Sequence, residues 1–143
     1  MTNSCNFWGV GGMSAAQAKR MPPLALAYLG DAVYELYVRH RLLQGPVRPQ
    51  ASLHQQAVQR VRASAQANVL RQWLDMLTED EAQVVRRGRN TRVQVSPGAD
   101  TADQHYSTAF EALIGYLYLA GDPERLCQLM EAAFESGAHS ATP

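Results

Sequence analysis

The stretch from Tyr106 to Ala120 is apolar on nearly every side of a helix and is closed by Gly121. A segment of that kind does not lie on a surface; it is the central helix around which other elements pack. With 143 residues the chain is long enough for one domain with a single core. No run of alternating β-branched residues argues for a strand, so the expected fold class is all-α. The 46% hydrophobic and 18% charged content is that of a globular chain. No apolar run approaches the roughly 20 residues of a membrane span, so no membrane partner is expected.

Other helices are legible from period and punctuation. Leu26, Leu29, Val33, Leu36, Tyr37, His40 and Leu43 recur at three- and four-residue steps, and Gly45-Pro46 stops that helix. Ala51 to about Leu77 is again helical in composition, with a break expected near Ser64. Thr78-Glu79-Asp80-Glu81 forms a capping box that starts a helix at Glu79, ending near Gly88–Asn90. Thr91 to Asp103, with Pro97-Gly98 and no period, reads as a surface loop. Asp122-Pro123 opens the last helix with an N-cap and a proline at the first helical position. Residues 1–21, rich in glycine and small side chains, read as a mobile N-terminal tail, which leaves 22–143 as the domain.

The formal charge is zero, which gives no global argument for a polyanion partner. The zero conceals a division, however. Up to Val95 twelve bases stand against six acids, a balance of +6; from Ser96 onward Arg125 stands against seven acids, a balance of −6. Twelve of the thirteen bases are arginine, whose planar fork of donors suits phosphate. Cys5, Cys127 and the four histidines lack the spacing of a zinc site, and no signal-peptide pattern opens the chain, so a cytoplasmic protein is expected.

Acidic residues occupy unusual places. On the first long helix Asp31 and Glu35 lie about 40° apart at 100° per residue, on a stripe shared with Val38 and Leu42. A helix apolar on both sides borders a second packed surface, either another helix or another subunit. Gly30, beside Asp31, weakens the helix by about 1 kcal/mol and permits a close approach. Glu111 sits within Ala109-Phe110-Glu111-Ala112-Leu113-Ile114-Gly115, where an unpaired carboxylate costs several kcal/mol unless its pKa rises. Two explanations stay open: an ion pair with an arginine such as Arg39 or Arg41, or a metal or catalytic site.

Three motifs, in order, carry a family resemblance. Leu26-Ala27-Tyr28-Leu29-Gly30-Asp31-Ala32-Val33-Tyr34-Glu35-Leu36 resembles the signature helix of the ribonuclease III catalytic domain. Phe110-Glu111-Ala112-Leu113-Ile114-Gly115 resembles its second acidic motif. With Arg86-Arg87-Gly88-Arg89-Asn90 between them and no double-stranded-RNA-binding domain after them, the chain looks like the Mini-ribonuclease III branch. Two carboxylates of the full-length family are replaced, by Ala27 and Thr108, as they are in that branch.

The resemblance implies a ribonuclease III endonuclease-domain helical fold and a homodimer. It implies Mg²⁺-dependent hydrolysis of double-stranded RNA that leaves 5′-phosphates, with the 23S ribosomal RNA precursor stem as substrate. Asp31 and Glu111 take the places of the catalytic, metal-holding carboxylates. Thr108 would orient a water, and Glu35 would stand behind the ligands or form a salt bridge across the dimer. Double-stranded RNA is gripped through phosphates and 2′-hydroxyls, and Arg62, Gln66, Arg86, Arg87, Arg89 and Arg92 are the expected contacts. A ribosomal protein as assisting partner stays open. The rival reading is an inactive RNA-binding module in a ribosomal or RNA-processing complex, favoured by the two replaced carboxylates.

Overall fold

The computed structural model describes residues 10–93, 95 and 97–140, with side chains through Gly137. Its helices are α1 (Ala15–Lys19), α2 (Pro23–Leu43), α3 (Gln50–Val61), α4 (Ala63–Trp73), α5 (Glu79–Asn90), α6 (Thr101–Ala120) and α7 (Pro123–Ser140). Among the described residues there is no strand, and no helix is long and apolar enough to cross a membrane. The fold is all-α, as its apolar periods require.

α6 is the central helix. From Ala109 to Leu117 every residue except Glu111 is buried, and α1, α2, α4, α5 and α7 all pack on it. The ring of Phe110 is held edge-on by Tyr34 of α2 at 5.0 Å and stacked by Trp73 of α4 at 5.6 Å. At the α2–α6 crossing the backbones come very close. A Cβ on Gly30 would stand 1.8 Å from the Glu111 carbonyl oxygen, and one on Gly115 would stand 2.0 Å from that of Leu26. Two glycines one helix apart therefore let the backbones touch, which is the close approach that Gly30 suggests in the sequence. Gly121 ends α6 in the left-handed conformation at φ 75°.

Several boundaries differ from the sequence expectation. The α3–α4 break falls at Arg62, whose backbone is extended, rather than at Ser64. α6 begins at Thr101, capped by Asp100, whose side chain accepts from the Asp103 amide at 3.0 Å. The cap precedes a polar first turn, so the apolar period becomes visible only at Tyr106. On α2, Val38 and Leu42 are buried where α3 packs, so the second packed surface there is another helix of the same chain. Leu36, His40 and Leu43, which belong to the apolar period of that helix, are exposed.

The expected tail also divides. Residues 1–9 lie outside the described residues. Residues 11–21 are docked: the Gly11 and Met13 amides donate to the carbonyls of Tyr118 and Leu119, at 2.7 and 3.1 Å. Ser14 and Gln17 form a capping box for α1, and Ala18 is fully buried. Lys19 pairs with Asp80 at 3.0 Å. A five-residue helix is too short to show a period, which is why composition alone pointed to a tail.

Candidate active site

The backbone contact at Gly30 places Asp31 beside Glu111, and the two carboxyl groups share a hydrogen bond. Asp31 is exposed and Glu111 only partly so. Burial first, then the negative charge of Asp31 and the shared hydrogen bond, push the Glu111 pKa up to about 8; a hydrogen bond from Gln66 pulls it the other way. The raised pKa favours a proton on Glu111, which the hydrogen bond between the two carboxyl groups requires.

The ion-pair explanation of Glu111 does not hold in this structure. Arg39 pairs with Glu35 one turn away at 2.8 Å, and Arg41 pairs with Glu135 at 2.9 Å while donating to the Tyr37 hydroxyl at 2.7 Å. Neither reaches Glu111. Glu81 shows what a structural glutamate looks like in the same fold. It is buried, bonded twice by Arg125 at 2.8 and 2.9 Å, and held below the usual carboxylate range by that guanidinium and the Thr78 cap, against its burial.

Gln66 of α4 does not face solvent. It is 1% exposed, accepts from the Ser107 hydroxyl at 2.6 Å and hydrogen-bonds Glu111. Where an RNA contact was expected of Gln66, packing of α4 on α6 turns its amide inward, towards Ser107 and Glu111. Ser107, one turn before Glu111 on the same face, was not among the expected site residues; its place on that polar face, four residues before Glu111, was its sequence signal. The Thr108 hydroxyl donates to the Gln104 carbonyl at 3.0 Å, leaving only its lone pairs for a water.

Asp31 opens onto a shallow hollow lined also by Ala32, Glu35, Leu36 and Arg39. Among the described residues no three His, Cys, Asp or Glu side chains cluster as a closed metal cage. Two carboxylates forced together, one of them open to the outside, with the nearby Arg39 paired to Glu35 instead, nevertheless fit Mg²⁺. That ion prefers oxygen ligands and takes one or two carboxylates, completing its shell with water and phosphate oxygens.

The ribonuclease III domain profile matches residues 24–122, which span both acidic motifs. The chain belongs to the ribonuclease III family of endoribonucleases. It is 52% identical to the Mini-ribonuclease 3 of Symbiobacterium thermophilum over 123 residues, 85% of this chain and 94% of that protein. It is 49% identical to that of Brevibacillus brevis, over 78% of this chain and 84% of that one. A crystal structure of a Fusobacterium nucleatum protein superposes with a TM-score of 0.76 at 24% identity, covering 86% of this chain and 98% of that one, a likeness of fold.

For a ribonuclease III domain, the arginines are unequally free. Arg62, Arg86 and Arg92 are exposed. Arg87 donates to the backbone carbonyls of Lys19 and Met21, so it ties α5 to the N-terminal segment. Arg89 lies against the Tyr106 ring at 5.7 Å, with Arg71 over the same ring at 4.6 Å and bonded to Asp103 at 2.9 Å. Among the described residues, none of these arginines is ion-paired with Asp31 or Glu111. The position of one replaced family carboxylate, Ala27, is buried in the core, where its methyl group belongs to the packing.

Proposed function

We propose that the chain is a Mg²⁺-dependent endoribonuclease that hydrolyses phosphodiester bonds of double-stranded RNA, leaving 5′-phosphates. The observation that carries this reading is the Asp31–Glu111 pair, two adjoining carboxylates that no arginine neutralises. Asp31 and Glu111 would hold the cation. When bound, Mg²⁺ supplies Lewis-acid chemistry, activating water and neutralising charge on the phosphodiester. The protein's part is to hold the carboxylates together and to present donors to the phosphate backbone. Arg62, Arg86 and Arg92 are the free donors; Arg89 contributes from beside Tyr106.

The chain acts as a homodimer in this reading, joined through the solvent-facing side of α2. Tyr28 is 85% exposed there, with Leu24, Leu36 and Leu43 also uncovered. Glu35, paired with Arg39 at the rim of the hollow, belongs to that surface. The ends of the 23S ribosomal RNA precursor are the substrate the resemblance implies, in the cytoplasm. Curated relatives at 52% and 43% identity carry the name Mini-ribonuclease 3.

The test is digestion of matched duplex and single-stranded RNA with Mg²⁺, followed by analysis of the new ends. Cleavage confined to the duplex, with 5′-phosphates and loss of activity in Asp31→Asn, is expected. Duplex binding without cleavage over a range of Mg²⁺ concentrations would instead establish an RNA-binding module.

A further inference from the structure

We propose that Gln66, locked by Ser107, is a positioning residue: it fixes the orientation in which the Glu111 carboxylate is offered to a divalent cation. This rests on the reading of Asp31 and Glu111 as cation ligands. A glutamine amide has one accepting and one donating end, and its shape alone does not decide which end points where. Here the Ser107 hydroxyl lies 2.6 Å from Gln66 Oε1, so the accepting end is taken. The amide N–H groups are left for Glu111, to which Gln66 also hydrogen-bonds.

The geometry makes the lock rigid. Ser107 and Glu111 stand one turn apart on α6, and Gln66 reaches both from α4 with 1% of its surface exposed. Burial matters because a solvated amide rotates freely, whereas a packed one keeps the carboxylate in one rotamer. The choice of a neutral donor matters equally. Arg125 holds Glu81 in place but also cancels its charge. Gln66 supplies direction while leaving Glu111 its full capacity for negative charge, which is what a ligand for a divalent cation requires.

Mn²⁺ titration of the full chain, read by electron paramagnetic resonance of the free ion, tests this. Gln66→Leu is expected to weaken Mn²⁺ binding about 10- to 100-fold. Ser107→Ala and Gln66→Asn, smaller perturbations that keep the test available if Gln66→Leu does not fold, should weaken it several-fold. The dissociation constant for duplex RNA in EDTA should not change, and kcat at limiting Mg²⁺ should fall while KM for RNA stays. Variants with intact melting temperatures that bind Mn²⁺ like wild type overturn the proposal. A rise in the RNA dissociation constant at unchanged Mn²⁺ affinity also overturns it and returns Gln66 to RNA contact. Asp31→Asn separates the two levels. If it too leaves Mn²⁺ binding unchanged, the ligand assignment itself fails; if it alone weakens binding, only the role of Gln66 fails.

Discussion

At the scale of single residues, the account turns on a carboxyl group whose proton is held too tightly. The Glu111 pKa lies at about 8 in the folded chain against 4.5 for a free glutamate. A folded-state pKa above the unfolded one stabilises the fold fully below the lower value, and that contribution is lost as pH rises through the upper one. Without divalent ions, the melting temperature should therefore fall by several degrees between pH 5 and 9. Glu111→Gln should flatten that dependence, and added Mg²⁺ should offset it in wild type only. Thermal denaturation across pH decides; equal slopes for wild type and Glu111→Gln would contradict the assigned proton. Gly30 offers a second check. A methyl group there meets the Glu111 carbonyl oxygen at 1.8 Å, so Gly30→Ala must push α2 from α6. A loss of about 3 kcal/mol is expected in denaturant unfolding, with cleavage falling further than stability because Asp31 and Glu111 separate.

At the scale of elements, the arginines of α5 and of the segment that follows it divide between two tasks. Arg87 holds the segment ahead of α2, so Arg87→Ala should cost about 1 kcal/mol of stability and leave the salt dependence of RNA binding intact. Arg86→Ala and Arg92→Ala should each lower the slope of log affinity against log salt by about one; an unchanged slope would remove them from the phosphate contacts. Sequence alone could not make that division, because it rests on where the Lys19 and Met21 carbonyls come to lie. The same limit applies to Gln66. Its chemistry suits an RNA edge as well as a carboxylate, and only the packing of α4 on α6 decides between them. What was legible had local causes: the Thr78–Glu81 box, the Gly121 stop and the Asp122-Pro123 start each act within one turn. From the residues alone Asp31 and Glu111 stood as two separate anomalies, 80 positions and a helix crossing apart, and only the family resemblance put them together.

At the scale of the whole molecule, zero net charge is a cancellation between a basic N-terminal part and an acidic C-terminal part. Without a global basic field, the proposed reading rests affinity for RNA on a few arginines and on the cation, and that affinity should fall steeply with salt. The exposed apolar side of α2 makes the solution state part of the same account. Tyr28→Arg should convert a dimer to a monomer in sedimentation velocity, and a variant that remains dimeric would place the contact elsewhere. The central claim is that Asp31 and Glu111 together form the cation-dependent centre of a double-strand endoribonuclease. Its most direct test is the single-turnover cleavage rate of a duplex RNA by wild type and Glu111→Gln, measured over a range of Mg²⁺ concentrations. The predicted result is Mg²⁺-dependent cleavage by wild type and a rate about a thousandfold lower in the variant, with duplex binding retained. Cleavage by Glu111→Gln at the wild-type rate and with the same Mg²⁺ dependence would contradict it.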